Sequence, residues 1–134
     1  MSFNPRGVRG ASPGLPGEID YRLARQAVIS EYRKGRVALH EVCDAHPELI
    51  RAARNVGEES SRTCPICEEA NVVLVSYVFG PRMPAHGRCV TSKAEMERLR
   101  RGSDELACYV VEVCPECAWN FLVQRYLLGR RHAG

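Results

Sequence analysis

The chain has 134 residues, 45% of them hydrophobic and 7% aromatic, which suits one globular domain or two very small ones sharing a core. A formal charge of only +3, and no apolar run near the ~20 residues of a membrane span, argue against both a bulk polycation and a transmembrane protein. Seven cysteines, an odd number with no apolar leader before them, argue against a secreted disulfide scaffold and point to a reducing compartment, the cytoplasm.

Residues 1–17 contain Gly7, Gly10, Gly14, Gly17, Pro5, Pro13 and Pro16, a composition that predicts a flexible, mildly basic N-terminal arm with Arg6 and Arg9. Residues 18–57 predict a helical segment of three short helices. The first covers 19–34: Asp20 caps its start, Leu23, Ala27, Val28 and Tyr32 form an apolar stripe, and Gly35 stops it after Arg33 and Lys34. A second helix follows around Val37–Cys43. Asp44-Ala45-His46-Pro47 then turns the chain, and Pro47 opens a third helix, PELIRAARNV, with Leu49, Ile50 and Ala53 facing a core. The last two helices share the outline of a helix-turn-helix, with Arg51 and Arg54 on the third and Arg62 just beyond. Any three-helix packing unit gives that outline, so the plainer reading is a helical cap on the remainder of the chain.

Residues 58–134 form the predicted metal-binding module. EESSRT (58–63) reads as a polar linker into Cys64. NVVLVSYVF (71–79) is apolar on both pleat faces, the pattern of a strand covered on both sides. A loop over 80–91 leads to Ser92-Lys93-Ala94-Glu95, a capping-box sequence that opens an inserted, mostly solvated helix at 93–101 carrying Arg98, Arg100 and Arg101. LACYVVEV (106–113) is a second strand. WNFLVQRYLLG favours a third, because Trp119, Phe121, Val123 and Tyr126 prefer a pleated surface. RRHAG is a basic end.

Cys64-Pro65-Ile66-Cys67 and Cys114-Pro115-Glu116-Cys117 are two C-P-x-C knuckles with identical spacing. Such a turn brings two sulfurs to one side, and two of them complete a four-sulfur tetrahedral shell with no open position, the donor set of one structural zinc ion. The first knuckle precedes the strand at 71–79 and the second follows the strand at 106–113. Antiparallel pairing of those strands therefore lets ligands distant in sequence meet. The expected fold class is α+β: N-terminal helices packed on a small antiparallel zinc-ribbon sheet, with a helical insertion between the two Cys knuckles.

Thiol redox chemistry is the rival reading of C-P-x-C, but it needs a thiol of lowered pKa, usually at a helix N-terminus, and neither pair opens a helix. A catalytic zinc on His46, Cys64 and Cys67 in the manner of nucleobase deaminases fails in detail: Pro65 follows Cys64 rather than preceding it, and Cys114 and Cys117 stay unused. Cys43, Cys89 and Cys108 read as small core residues, with His86 and Cys89 a weak spare pair. Four thiolates and a divalent cation lower the formal charge of +3 to about +1.

Residues 62–128 resemble a zinc ribbon through CPIC, CPEC and the flanking β-runs. DAHPELIRAAR, TCPIC, YVVEVCPECAWN and YLLG together are similar to an uncharacterised actinobacterial zinc-ribbon family of about this length. The resemblance implies a bacterial cytoplasmic protein with Cys64, Cys67, Cys114 and Cys117 as ligands, and it brings no activity. Zinc ribbons commonly dock on transcription and translation machinery. The expectation is therefore a non-enzymatic accessory or regulatory protein that docks on nucleic acid or on a nucleic-acid-handling complex such as RNA polymerase. Its contacts would be Arg51, Arg54, Arg62, Arg98, Arg100 and Arg101. The alternative is a protein–protein adaptor or homodimer without nucleic acid, and a thiol redox switch ranks last.

Overall fold

The computed structural model describes residues 3–10 and 19–129. One antiparallel sheet organises them, built from β1 (Ile19–Asp20), β2 (Glu58–Thr63), β3 (Asn71–Phe79), β4 (Arg88–Cys89), β5 (Leu106–Val113) and β6 (Asn120–Leu128). The order is β1-β6-β5-β3-β2, with β4 pairing the far end of β3 beyond β2. Four helices accompany it: α1 (Arg22–Arg33), α2 (Leu39–Val42), α3 (Pro47–Val56) and α4 (Lys93–Arg101). The architecture is thus α+β on a small antiparallel sheet.

The central strands follow the sequence closely. Val73, Val75, Tyr77 and Phe79 of β3 alternate with Val72 and Val78, and all six are buried, as a strand covered on both faces requires. β3 and β5 pair from Val73↔Val113 to Phe79↔Ala107, so the start of one strand lies beside the end of the other. The larger buried cluster joins Val73, Val75, Tyr109 and Val111 of the sheet, and Trp119 just before β6, to Ile29, Val42, Leu49 and Ala53 of the first three helices. A smaller cluster, Val78, Val90, Leu106, Cys108, Val110 and Leu128, lies under Met96 and Leu99 of α4. Gly57 ends α3 where the helix meets β3; a Cβ there would lie 2.3 Å from Val73 Cγ1, so glycine permits that approach.

Five expectations from composition are corrected. The helix expected over 19–34 starts at Arg22, because Ile19–Asp20 pair with β6 and Tyr21 N–H donates to Val123 O. Tyr21, not Asp20, is its N-cap, and Asp20 instead accepts from Arg22 N–H. Leu23, placed on the apolar stripe, is 89% exposed, and Ile29 takes the core position at 1%. The polar stretch 58–63 is an edge strand: its exposed side chains hide a ladder that consists of backbone bonds to β3. Glu95, expected among solvated helix positions, is buried; Ser92 Oγ accepts from its N–H, while its carboxylate reaches past the cap to Thr91 N–H and pairs with Arg88.

The described part of the expected arm, 3–10, is folded rather than loose. Pro5 and Val8 are buried, Leu122 N–H donates to Arg9 O, and the Arg9 guanidinium bonds Asn120 O, Glu41 O and Asp44. The remaining residues of that arm and the basic end at 130–134 lie outside the described residues. Among the described residues, no helix is long and apolar enough to cross a membrane.

Candidate metal centre

Each C-P-x-C knuckle closes a hairpin of the sheet: 64–70 joins β2 to β3, and 114–119 joins β5 to β6. Because β3 and β5 are antiparallel neighbours, both hairpins turn at the same end. The two turns are built alike. Glu68 N–H donates to Cys64 O and Ala118 N–H to Cys114 O, the fourth residue after the first cysteine in each case. Glu68 and Ala118 both hold positive φ, 58° and 73°. Cys64 N–H then donates to Ala70 O and Cys114 N–H to Trp119 O, returning the chain to the sheet.

The four Sγ atoms of Cys64, Cys67, Cys114 and Cys117 lie within 4.8 Å of one another. Among the described residues, no other group of three or more His, Cys, Asp or Glu donors is gathered in this way. Two edges between the hairpins, Cys64–Cys117 and Cys67–Cys114, both measure 3.7 Å. A tetrahedron of thiolates about 2.3 Å from a central cation has edges of about 3.8 Å, so the donors present fit a zinc ion in both chemistry and size. Backbone N–H groups face the sulfurs: Ile66 donates to Cys64 at 3.4 Å and Cys117 to Cys114 at 3.5 Å. These donors stabilise thiolate charge.

Without a cation the cluster is electrostatically unfavourable. Burial pushes the Cys64 thiol well above its ordinary value, and repulsion from Cys114 and Cys117 adds to that. Burial also pushes Cys117 up to about 12. Cys67 moves the other way: burial is the largest single influence and raises it, but the backbone N–H groups of Glu69 and Ala70 and its sulfur neighbours together outweigh that and lower it. Raised thiols of this kind are reconciled with thiolate ligation by a bound cation, which displaces their protons.

The surroundings contain a buried ion pair, Glu112 with Arg25, that sequence reasoning passed over. Glu112, two residues before Cys114, is 0% exposed. Its Oε2 accepts from Arg25 Nε at 2.9 Å and from Trp119 Nε1 at 2.7 Å, and Arg62 Nη1 stands 3.7 Å from Oε1. Arg54 of α3 donates to Pro115 O at 2.9 Å, holding the second knuckle from outside. Cys43, at the C-terminal end of α2, places its Sγ 3.5 Å from Cys117 Sγ. His46 is the N-cap of α3, its Nδ1 accepting from Glu48 N–H, so His46-Pro47-Glu48 is a helix start rather than a ligand set. His86 and Cys89 line an open cleft between α3 and β4, away from the four sulfurs. No local spacing pointed to Glu112. It sits in a strand pattern where its neighbours are apolar, and that anomaly was the only available signal.

The six arginines singled out in the sequence divide among three elements. Arg51 and Arg54 are on α3, Arg62 on β2, and Arg98, Arg100 and Arg101 on α4. Arg54 and Arg62 are engaged at the centre, and Arg100 Nε lies 3.6 Å from Glu97. Arg51, Arg98 and Arg101 are exposed.

Residues 16–134 match a model described as "Family of unknown function (DUF5318)". The chain is 42% identical over 111 residues to "Uncharacterized protein Rv0049" of Mycobacterium tuberculosis, an alignment covering 83% of this chain and 81% of that protein. "Uncharacterized protein Mb0050" of Mycobacterium bovis matches with the same identity and coverage. No solved structure matches. The mycobacterial relatives accord with the actinobacterial resemblance in the sequence. On the extent of these matches, the chain belongs to the DUF5318 family.

Proposed function

We propose that this protein binds one structural zinc ion through Cys64, Cys67, Cys114 and Cys117 in a zinc-ribbon-like pair of hairpins, and that it works in the cytoplasm as a non-enzymatic docking or regulatory protein. The observation that carries the reading is the pair of 3.7 Å sulfur edges across the hairpins. Four thiolates at that spacing close the coordination shell and leave no position for water or substrate, which distinguishes a structural from a catalytic site.

The partner in this reading is nucleic acid or a nucleic-acid-handling complex such as RNA polymerase. The support is the exposure of Arg51, Arg98 and Arg101, three guanidinium groups able to contact phosphate. A second reading, a protein–protein adaptor, is favoured by two apolar side chains standing in solvent on adjacent helices, Leu23 at 89% and Leu39 at 54% exposure.

Titrating the zinc-loaded protein with a random duplex at several salt concentrations separates the two. Phosphate contacts predict a steep fall of affinity with salt, and replacing Arg51, Arg98 and Arg101 with serine should lower the logarithmic slope by about 3. Absence of salt-sensitive binding, with loss of a protein partner on Leu23→Asp, would move the reading to the adaptor.

A further inference from the structure

Cys43 is the one thiol beside the metal cluster that the four-sulfur shell does not use. The segment carrying it is fixed: Cys43 forms a bridge with Trp119, Ala45 N–H donates to Ala118 O, and Cys43 N–H closes α2 on Leu39 O. These bonds hold residues 43–45 against the strand entry that immediately follows Cys117. The result is an Sγ–Sγ separation of 3.5 Å between Cys43 and Cys117, shorter than the 3.7 Å edges inside the cluster itself. Both residues are half-buried, whereas Cys64 and Cys114 are buried, so the Cys43–Cys117 side is more open than those two ligands.

We propose that Cys43 and Cys117 form an oxidative modification site, in which Cys43 resolves oxidised Cys117 as a disulfide and so removes one ligand from the metal centre. The co-reactant is a hydroperoxide, ROOH. The Cys117 thiolate attacks the distal oxygen; an S–O bond forms, the O–O bond breaks, and the alkoxide leaves and takes a proton from water as ROH. Cys43 sulfur then attacks Cys117 sulfur; the S–S bond forms, the S–O bond breaks, and hydroxide leaves with the Cys43 proton as water. The two sulfurs together lose two electrons and the hydroperoxide gains two. A disulfide sulfur is a poor ligand, so Cys64, Cys67 and Cys114 remain and the shell opens.

The thiolate state of Cys117 and the consequence for the metal rest on the zinc reading above; the 3.5 Å approach of the Cys43 sulfur does not. The test therefore begins by measuring zinc per chain in purified, reduced protein. Stoichiometric peroxide is then added and disulfides are mapped by non-reducing peptide mass spectrometry, while a chromophoric chelator reports released metal. The expected result is a Cys43–Cys117 link as the first disulfide, one zinc released per link, and rebinding after reduction. Cys43→Ser should keep its zinc before oxidation, should accumulate Cys117 sulfenic or sulfinic acid, and should regain about ten-fold less metal binding after reduction, because sulfinic acid is not reduced by thiols. Cys43→Ala serves if the serine variant is poorly folded. A first disulfide at 64–67, 114–117 or 64–117, or unchanged recovery in both variants, would overturn the inference with the zinc site intact. Protein without zinc that still forms the 43–117 link would instead remove the zinc reading and leave the modification site standing.

Discussion

Glu112 has no solvent exposure and yet sits between a guanidinium and an indole N–H. A buried carboxylate is tolerable only when paired and hydrogen-bonded, and removing one partner of such a pair leaves an uncompensated charge. Glu112→Ala should therefore destabilise the protein by about 3 kcal/mol in denaturant titration, mostly through stranded Arg25. If the change is neutral, the ion pair does not hold α1 to the sheet. Glu95 gives a second prediction at this scale. Burial opposes its charge, but Thr91 and Arg88 outweigh that, so its folded pKa lies below the ordinary 4.5. A carboxylate depressed on folding contributes stability that is present above its unfolded value and is lost as pH falls through its folded one. Stability should thus fall below pH 4.5, and Glu95→Gln should flatten that acid limb. An acid limb unchanged in the variant contradicts the assignment. The capping sequence at Ser92–Glu95 was legible, but neither residue's ion pair was, because a carboxylate in a strand or helix pattern does not announce the cation that will face it.

At the scale of elements, the strands at 71–79 and 106–113 and the third helix were legible, since their apolar content dictates their periods. The strand at 58–63 was not, because an edge strand needs only backbone partners and EESSRT shows a polar surface. The same limit explains Leu23: periodicity marked it apolar, but α1 turns Ile29 and Arg25 toward the sheet instead. The knuckle spacing was legible in full, whereas the positive φ at Glu68 and Ala118 was not, since neither position is glycine. Left-handed backbone costs an alanine roughly 1 kcal/mol. Ala118→Gly should accordingly hold or raise the melting temperature, and Ala118→Val should lower it. The reverse order would contradict the turn geometry.

For the whole molecule, the four-cysteine cluster joins the two hairpins at one end of the sheet, and α1, α2 and α3 pack on the buried core that includes Cys64 and Cys114. Metal binding free energy is then folding free energy. Cys114→Ser, or a strong chelator, should unfold the sheet cooperatively, read as loss of the β signal in circular dichroism. A chelated protein that keeps its full signal would show that the sheet stands without metal. The sequence made the α+β class and the four sulfurs legible because spacing and alternation are local properties. It did not make the partner legible, since docking depends on how Arg51, Arg98 and Leu23 are displayed on separate elements. X-ray absorption at the zinc edge of the purified protein tests the central claim most directly. One zinc per chain with four sulfur neighbours at about 2.3 Å is the predicted result; no stoichiometric metal, or a shell with nitrogen or oxygen donors, would contradict it.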